Sequence, residues 1–533
     1  MKRDFKSISS KNYDVIVIGG GIVGSGIARD LTLRGLDTLL LEKEDFGSGT
    51  TSRSTRLAHG GLRYMAQLDF GLVRQDLSER EILLRIAPHL VHPLSFLIPI
   101  PTTFLNVEMA LGTTLYDILS YDKTLPNHKF YGRNKTLEIE PGLKVRNLQG
   151  SYLYYDCEIP LTERLNFETA LSAHEGGATV VNHARVTNTL REGNRITGVE
   201  VKDEITGEVL QAKGKMVVNA AGHWVDIVKR MIFTNKPEYL RRTKGIHIVI
   251  PQVSEHALVL FSPIDGRLFF VIPWEGFSLV GTTDTDYTEN LDAIFATKAD
   301  VDYVLEGLHM AYPDVKVDDI YYTYAGLRSL AIKPGKSASN TSRNHELIDH
   351  SKRDNIDGLV SILGGKITAY RAVARDAADL VCKKMGVKVP CTTGVKSLPG
   401  APALDKKELD MLAKQSGISI DAVNNLVQIY GSRTSEVLSL TKADPKGGQA
   451  ISPGGPDIIA QIWHAANSEI CRTVGDFMLR RSMVGLRKDQ GMDAINIVAR
   501  EMKNVLGWNS DEETRQIEAY KSVAALGLRF KNP

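Results

Sequence analysis

The stretch "VIVIGGGIVGSGIARDL" places glycines at 19, 21 and 24 between an apolar run (13–18) and a segment of helical spacing (21–35). Few local features restrict a fold as strongly. Gly19 permits a tight turn and Gly21 lets the backbone approach a pyrophosphate. Gly24 lets the helix pack close to the strand, with the helix N-terminus facing the negative charge. A second apolar run, 36–44, carries Glu42, 18 residues beyond Gly24. A carboxylate there accepts hydrogen bonds from a ribose diol. A GxGxxG alone also marks ordinary turns. Strand, helix, second strand and acidic residue together specify a βαβ unit that binds a dinucleotide.

Two features favour FAD over NAD. The loop "GSGTTSRSTR" (47–56) follows Glu42 directly and offers hydroxyls, among them Thr51, Ser52, Ser54 and Thr55, to a pyrophosphate and ribityl chain. Two later apolar runs also end in glycine turns: "VVNAAG", with Ala221 and Gly222, and "SILGGK", with Gly365 and Lys366. These read as repeated backbone approaches to one extended cofactor. A meander of β-rich runs (178–218) stands where an NAD enzyme completes its second βαβ half, and Val186 within it is counted among the cofactor residues.

The chain has 533 residues, 43% hydrophobic and 24% charged, with formal net charge +2, which argues for a soluble globular protein of two to four domains and against a nucleic-acid binder. Cys157, Cys382, Cys391 and Cys471 lie too far apart for a metal site or a disulfide framework, so a reducing, cytoplasmic compartment and no metal are expected. No run reads as a signal peptide or a transmembrane helix. The Pro-interrupted apolar stretch 96–119 reads as domain core or as a monotopic membrane face. Further strands are expected over 241–285, a strand, Gly-Gly turn and helix over 359–386, a Pro/Gly linker at 398–403, and helices throughout 400–533.

At this point the motifs resemble a known family. "TTSRSTRLAHGGLRYM", "TKGIHIVIP", "FFVIPWEGFSLVGTTDTDY", "TYAGLRSL" and "LGGKITAYR" follow the glycine motif in the order and spacing of the FAD-dependent glycerol-3-phosphate dehydrogenases. The similarity runs from about residue 12 to 400, and more loosely beyond. It implies an α/β (α+β) fold of the glutathione-reductase/amino-acid-oxidase type. A Rossmann-like FAD-binding domain (12–85, 150–230, 355–395) would interweave with an antiparallel-sheet substrate domain (86–149, 231–354), followed by an all-α C-terminal domain (400–533). It also implies hydride transfer from sn-glycerol 3-phosphate to flavin N5, with electrons passing to a quinone or another acceptor. Peripheral contact with the cytoplasmic membrane face and a homodimer remain open.

By the same resemblance, the cations for a phosphate dianion are Arg63, Arg328, Arg343 and Lys366. Arg343 is as well explained as a solvated surface charge. His247 matches a family histidine beside the substrate and is the first candidate for the base that takes the hydroxyl proton. Tyr64 hydrogen-bonds or covers the substrate. His59 packs near the flavin, and the pair Gly60-Gly61 lets the backbone lie against it. Gly365, Lys366 and Thr368 face the flavin O2/N1 side, where a helix N-terminus and a lysine stabilise negative charge. His247, Arg328 and Lys366 form the expected catalytic set. Three alternatives stay open: an oxygen-using glycerol-3-phosphate oxidase, an amino-acid or amine oxidase of the same fold, and a non-catalytic FAD-binding or tRNA-interacting protein.

Overall fold

The structure is a computed structural model. It describes residues 1–531 apart from 63, 64, 66, 67, 333–344 and 403. Two sheets organise it. In the first, parallel strands lie in the order Leu359–Leu363, Val209–Asn219, Asn12–Ile18, Thr38–Leu41, Thr179–Val181, with Glu346–Asp349 antiparallel at one edge. The central strands are buried along most of their length, as parallel strands covered on both faces must be. Register pairs Ile18 with both Leu41 and Asn219, so the strands end level with one another. Three turns therefore open on one crevice: Gly19 onward, Glu42 onward and Ala220 onward. This is where ligands bind in parallel sheets.

The helix Ile22–Leu33 covers this sheet and packs between helices Thr162–Glu175 and Tyr370–Met385. The expected meander is present. Strands Ala184–Glu192 and Arg195–Asp203 form an antiparallel ribbon that joins Val209–Asn219.

Among the described residues the second sheet has ten strands, largely antiparallel, built around Leu240–Pro251, which pairs with Phe277–Gly281 on one side and Tyr322–Ala331 on the other. Strand Gly150–Glu158, expected in the first unit, lies in this sheet beside His92–Ile100. The chain thus returns to the first sheet beyond 158 rather than near 150. Alternation of buried and exposed residues is the same for either sheet, so the sequence pattern did not separate them.

The run 96–119 divides into strand His92–Ile100 and helix Thr103–Leu119, capped by the Thr102 hydroxyl, which accepts from the Leu105 N–H. From Lys406 onward the chain is helical, with one isolated bridge, Ala450 to Ile458, among the described residues. Its helices share a core with the second sheet, where Leu426, Ile429 and Tyr430 join Trp274, Tyr322 and Tyr324. Buried ion pairs bind them to the first: Arg481 reaches Asp45 at 2.8 and 2.9 Å, and Arg164 reaches Glu469 at 2.8 Å. No helix among the described residues is long and apolar enough to cross a membrane, and no group of potential metal ligands occurs among them.

Candidate active site

A cavity of about 350 Å³ runs along the carboxyl ends of the first sheet and continues against the second. Its first part is set by glycines. Gly19 has φ +107, and a Cβ there would lie 2.6 Å from the Ala220 carbonyl oxygen. At Gly24 a Cβ would lie 1.9 Å from the Gly19 carbonyl oxygen. Gly24 does not line the cavity. It holds the helix against the turn. Gly21 precedes the helix, whose first N–H, that of Ile22, donates to the Thr51 hydroxyl at 3.1 Å.

Glu42 lines the cavity and accepts from the Gly20 N–H at 2.6 Å and the Glu44 N–H at 2.9 Å. Burial pushes its carboxyl pKa up. A carboxylate has about four lone-pair sites, so capacity for a diol remains. The hydroxyl loop is distributed unevenly. Thr51, Ser54 and Thr55 line the cavity, whereas Ser52 turns away and donates to the Ser48 and Gly49 carbonyls. Val186, Ala221 and Gly222 close one end, and Gly365, Lys366 and Thr368 the other.

The second sheet supplies the polar chemistry. Register sets Thr243 opposite Arg328 and His247 opposite Tyr324, which brings His247 and Arg328 onto one wall. The His247 imidazole is 2% exposed, and its Nε2 lies 3.0 Å from the Thr55 hydroxyl. Its Nδ1 has no protein partner among the described residues. Burial, and then the Arg328 and Arg56 charges, depress its pKa to about 3, so the ring is neutral at ordinary pH. Arg328 reaches Asp284 at 3.0 Å and donates to the Thr282 hydroxyl at 3.0 Å. The Lys366 ammonium lies 2.6 Å from Asp76, a fully buried carboxylate on helix Phe70–Ile86. Burial raises the Asp76 pKa to about 6, against the pull of Lys366. Asp76 looked like one charge among many in a polar helix, and no sequence signal separated it from its neighbours.

The HGG segment differs from expectation. His59 lines the cavity, and its N–H donates to the Thr368 hydroxyl at 3.1 Å, tying this segment to the GGKIT turn. Gly60 and Gly61 do not line the cavity. A Cβ on Gly60 would lie 2.6 Å from both Leu77 and the Tyr116 hydroxyl, so glycine is required there by the packing of two helices. Gly61 has φ +72, where glycine is favoured. Arg63, Tyr64 and Arg343 lie outside the described residues.

His223 was missed although it follows the VVNAAG turn directly. Its ring centroid lies 3.6 Å from that of Trp224, the planes tilted by 34°, and its Nδ1 lies 3.2 Å from the Thr50 hydroxyl. Burial, followed by the Lys43 charge, lowers its pKa to about 3. The folded state therefore resists a proton that the unfolded chain accepts near pH 6.5, and stability falls as pH drops below that value. A His223→Gln protein should lose about 1.4 kcal/mol less per pH unit between about pH 6 and 4. Denaturant titrations of the two holoproteins at pH 7 and pH 5 check this, and parallel losses would refute it.

The sequence comparisons agree with this geometry. Residues 14–371 match the FAD dependent oxidoreductase family, and residues 391–513 match the C-terminal domain of alpha-glycerophosphate oxidase. The chain is 37% identical to the glycerol-3-phosphate dehydrogenase of Synechocystis sp., covering 97% of each protein. It is 36% identical to glycerol-3-phosphate dehydrogenase 2 of Mycobacterium tuberculosis, over 97% of this chain and 88% of that one. Among solved structures, the glycerol-3-phosphate dehydrogenase of Bacillus halodurans complexed with FAD superposes with a TM-score of 0.80, at 29% identity, over 98% of this chain and 97% of that one. The glycine turn whose Cβ positions are filled by backbone, the acidic strand end and the hydroxyl loop suit such a cofactor. The chain belongs to the FAD-dependent oxidoreductases, within the glycerol-3-phosphate dehydrogenase family.

Proposed function

We propose that the enzyme oxidises sn-glycerol 3-phosphate to dihydroxyacetone phosphate and passes the electrons to a quinone. FAD, when bound, supplies the acceptor for the C2 hydride. The chain's own residues do the rest. Gly19, Gly21 and the hydroxyls of Thr51, Ser54 and Thr55 hold the cofactor, with Glu42 on its ribose and Val186, Ala221 and Gly222 along its length. His247, kept neutral by burial, takes the hydroxyl proton, and Thr55 fixes its ring. Arg328, with Lys366, binds the phosphate and orients C2. The observation that carries this reading is the buried His247 imidazole, its Nδ1 without a protein partner among the described residues, sharing with the Arg328 guanidinium one wall of the cavity whose other end is the glycine turn.

Anaerobic addition of sn-glycerol 3-phosphate to the purified flavoprotein should bleach the flavin band. An unchanged spectrum would remove the proposal. Reoxidation of the bleached enzyme by a quinone analogue, much faster than by oxygen, identifies the acceptor.

The site also suggests where the quinone is met. Helix Thr103–Leu119 exposes Phe104 (81%), Val107 (59%), Leu111 (69%) and Ile118 (62%), four large apolar side chains near one stripe. We propose that this stripe rests on the membrane surface, which is where an apolar face of this kind is stable. The double variant Phe104→Asp/Leu111→Asp should bind lipid vesicles at least about tenfold more weakly, since burial of each such side chain is worth roughly 1.5–3 kcal/mol. Co-sedimentation with vesicles measures it, and bleaching by sn-glycerol 3-phosphate in solution should persist.

A further inference from the structure

Beside the substrate wall lies a second cavity, of about 60 Å³, between strand Tyr322–Ala331 and the C-terminal helices. Arg53, Arg56 and Arg480 line it, with Glu163 as the only carboxylate among the described lining residues. Arg53 lines the first cavity as well, and no other described residue lines both.

The charges here do not balance. Glu163 is spent on Arg56, which it grips through two hydrogen bonds of 2.9 Å. Arg480 is spent on Asp45 at 2.8 Å and Asp476 at 2.9 Å. Arg53 makes no hydrogen bond or ion pair among the described residues. Arg56 itself keeps an unmet donor, since its buried Nε–H has no acceptor. The Tyr322, Thr323 and Tyr324 hydroxyls donate to the Leu486, Gly527 and Ser54 carbonyls and bring no negative charge to the cavity.

Arg53 is half-buried, and the burial lowers its pKa, a sign that its charge lacks full compensation from the protein. The backbone keeps Arg53 in place, because its Cβ sits over Gly326, where a second Cβ would come within 2.5 Å.

We propose that this cavity is a second anion site, distinct from the substrate position, that holds a tetrahedral oxyanion of the size of inorganic phosphate on Arg53 and the Arg56 Nε–H. The volume exceeds what one water needs and suits a small oxyanion rather than an ester carrying a three-carbon chain. An ion there would neutralise the cation left uncompensated among the described lining residues and bridge the C-terminal helices to the substrate wall through Arg53.

The test uses FAD-loaded enzyme reduced anaerobically by saturating sn-glycerol 3-phosphate, so that the substrate position is filled. Equilibrium dialysis against radiolabelled inorganic phosphate should then retain about one phosphate per chain. Sulfate should displace it, and chloride at equal ionic strength should not. Arg53→Gln should weaken the binding at least about tenfold while keeping its flavin, the loss expected when a charge-assisted contact is removed. Full displacement of phosphate by sn-glycerol 3-phosphate, equal displacement by chloride, or unchanged binding in Arg53→Gln would overturn the proposal. If that variant yields no flavoprotein, the wild-type displacement series alone decides. Bleaching in the same sample reports the substrate reading separately from the phosphate count.

Discussion

Gly24→Ala protein is expected to purify with little or no flavin, its affinity for FAD reduced at least about a hundredfold, equivalent to about 2.8 kcal/mol. The reason is local and severe. The added methyl would lie 1.9 Å from the Gly19 carbonyl oxygen, a backbone atom with no freedom to rotate away. The helix Ile22–Leu33 must then lift from the strand, taking its N-terminal N–H groups away from the pyrophosphate they are aimed at. Gly21→Ala provides the contrast. Its methyl meets only the Thr51 hydroxyl, at 3.5 Å, so the fold is undisturbed and any loss of affinity comes from the ligand side. The ratio of absorbance at 450 and 280 nm in the purified proteins, with a titration of added FAD, measures both. A Gly24→Ala protein with full flavin content would mean that the helix does not hold its cofactor in this way.

The second large effect is expected at Arg328. Arg328→Met should lower kcat/KM for sn-glycerol 3-phosphate by roughly 10²–10³, the range for losing an ionic contact to a bound phosphate, about 3–4 kcal/mol. The guanidinium is held by Asp284 and Thr282 rather than left to search for its ligand, so little ordering is needed when the phosphate arrives. The substitution also removes a charge that depresses the His247 pKa, the second cause after burial. A more basic imidazole would begin to protonate at higher pH, and the acid limb of the kcat/KM profile should move up. Glycerol, which has no phosphate, separates the two effects. Its slow oxidation should respond to the change at His247 and be nearly indifferent to the loss of the phosphate contact. A variant with wild-type kcat/KM for the phosphate ester would exclude Arg328 from the site.

These expectations differ in how far the sequence revealed them. Gly19, Gly21, Gly24 and Glu42 were legible because the backbone geometry they serve lies within one βαβ unit. The turns at Gly222 and Gly365 were legible for the same reason: a strand that ends in glycine betrays a close approach. Other residues depend on partners far along the chain. Gly60 is glycine because Leu77 and Tyr116 occupy the space, and Ser52 faces away from the crevice while Thr51 faces into it. Neither fact has a local signature. The pairing of Lys366 with Asp76 spans 290 residues, and the surplus charge of Arg53 becomes visible only when its neighbours' partners are known. The membership of Gly150–Glu158 in the second sheet was hidden because pattern alone does not name a strand's neighbours.

The cavity draws on residues from Ile18 to Thr368, and the Asp45 carboxylate beside it waits for Arg481. During synthesis at 5–20 residues per second, roughly 20–70 s separate the emergence of the glycine turn from that of the GGKIT turn. Throughout that interval the first βαβ unit has no floor of strand Leu359–Leu363 and no second wall. Flavin capture is therefore a late event in the life of the nascent chain, and the helices after Lys406 lock it in last. A cell short of riboflavin would accumulate full-length apoprotein, and added FAD should convert it to the holoenzyme.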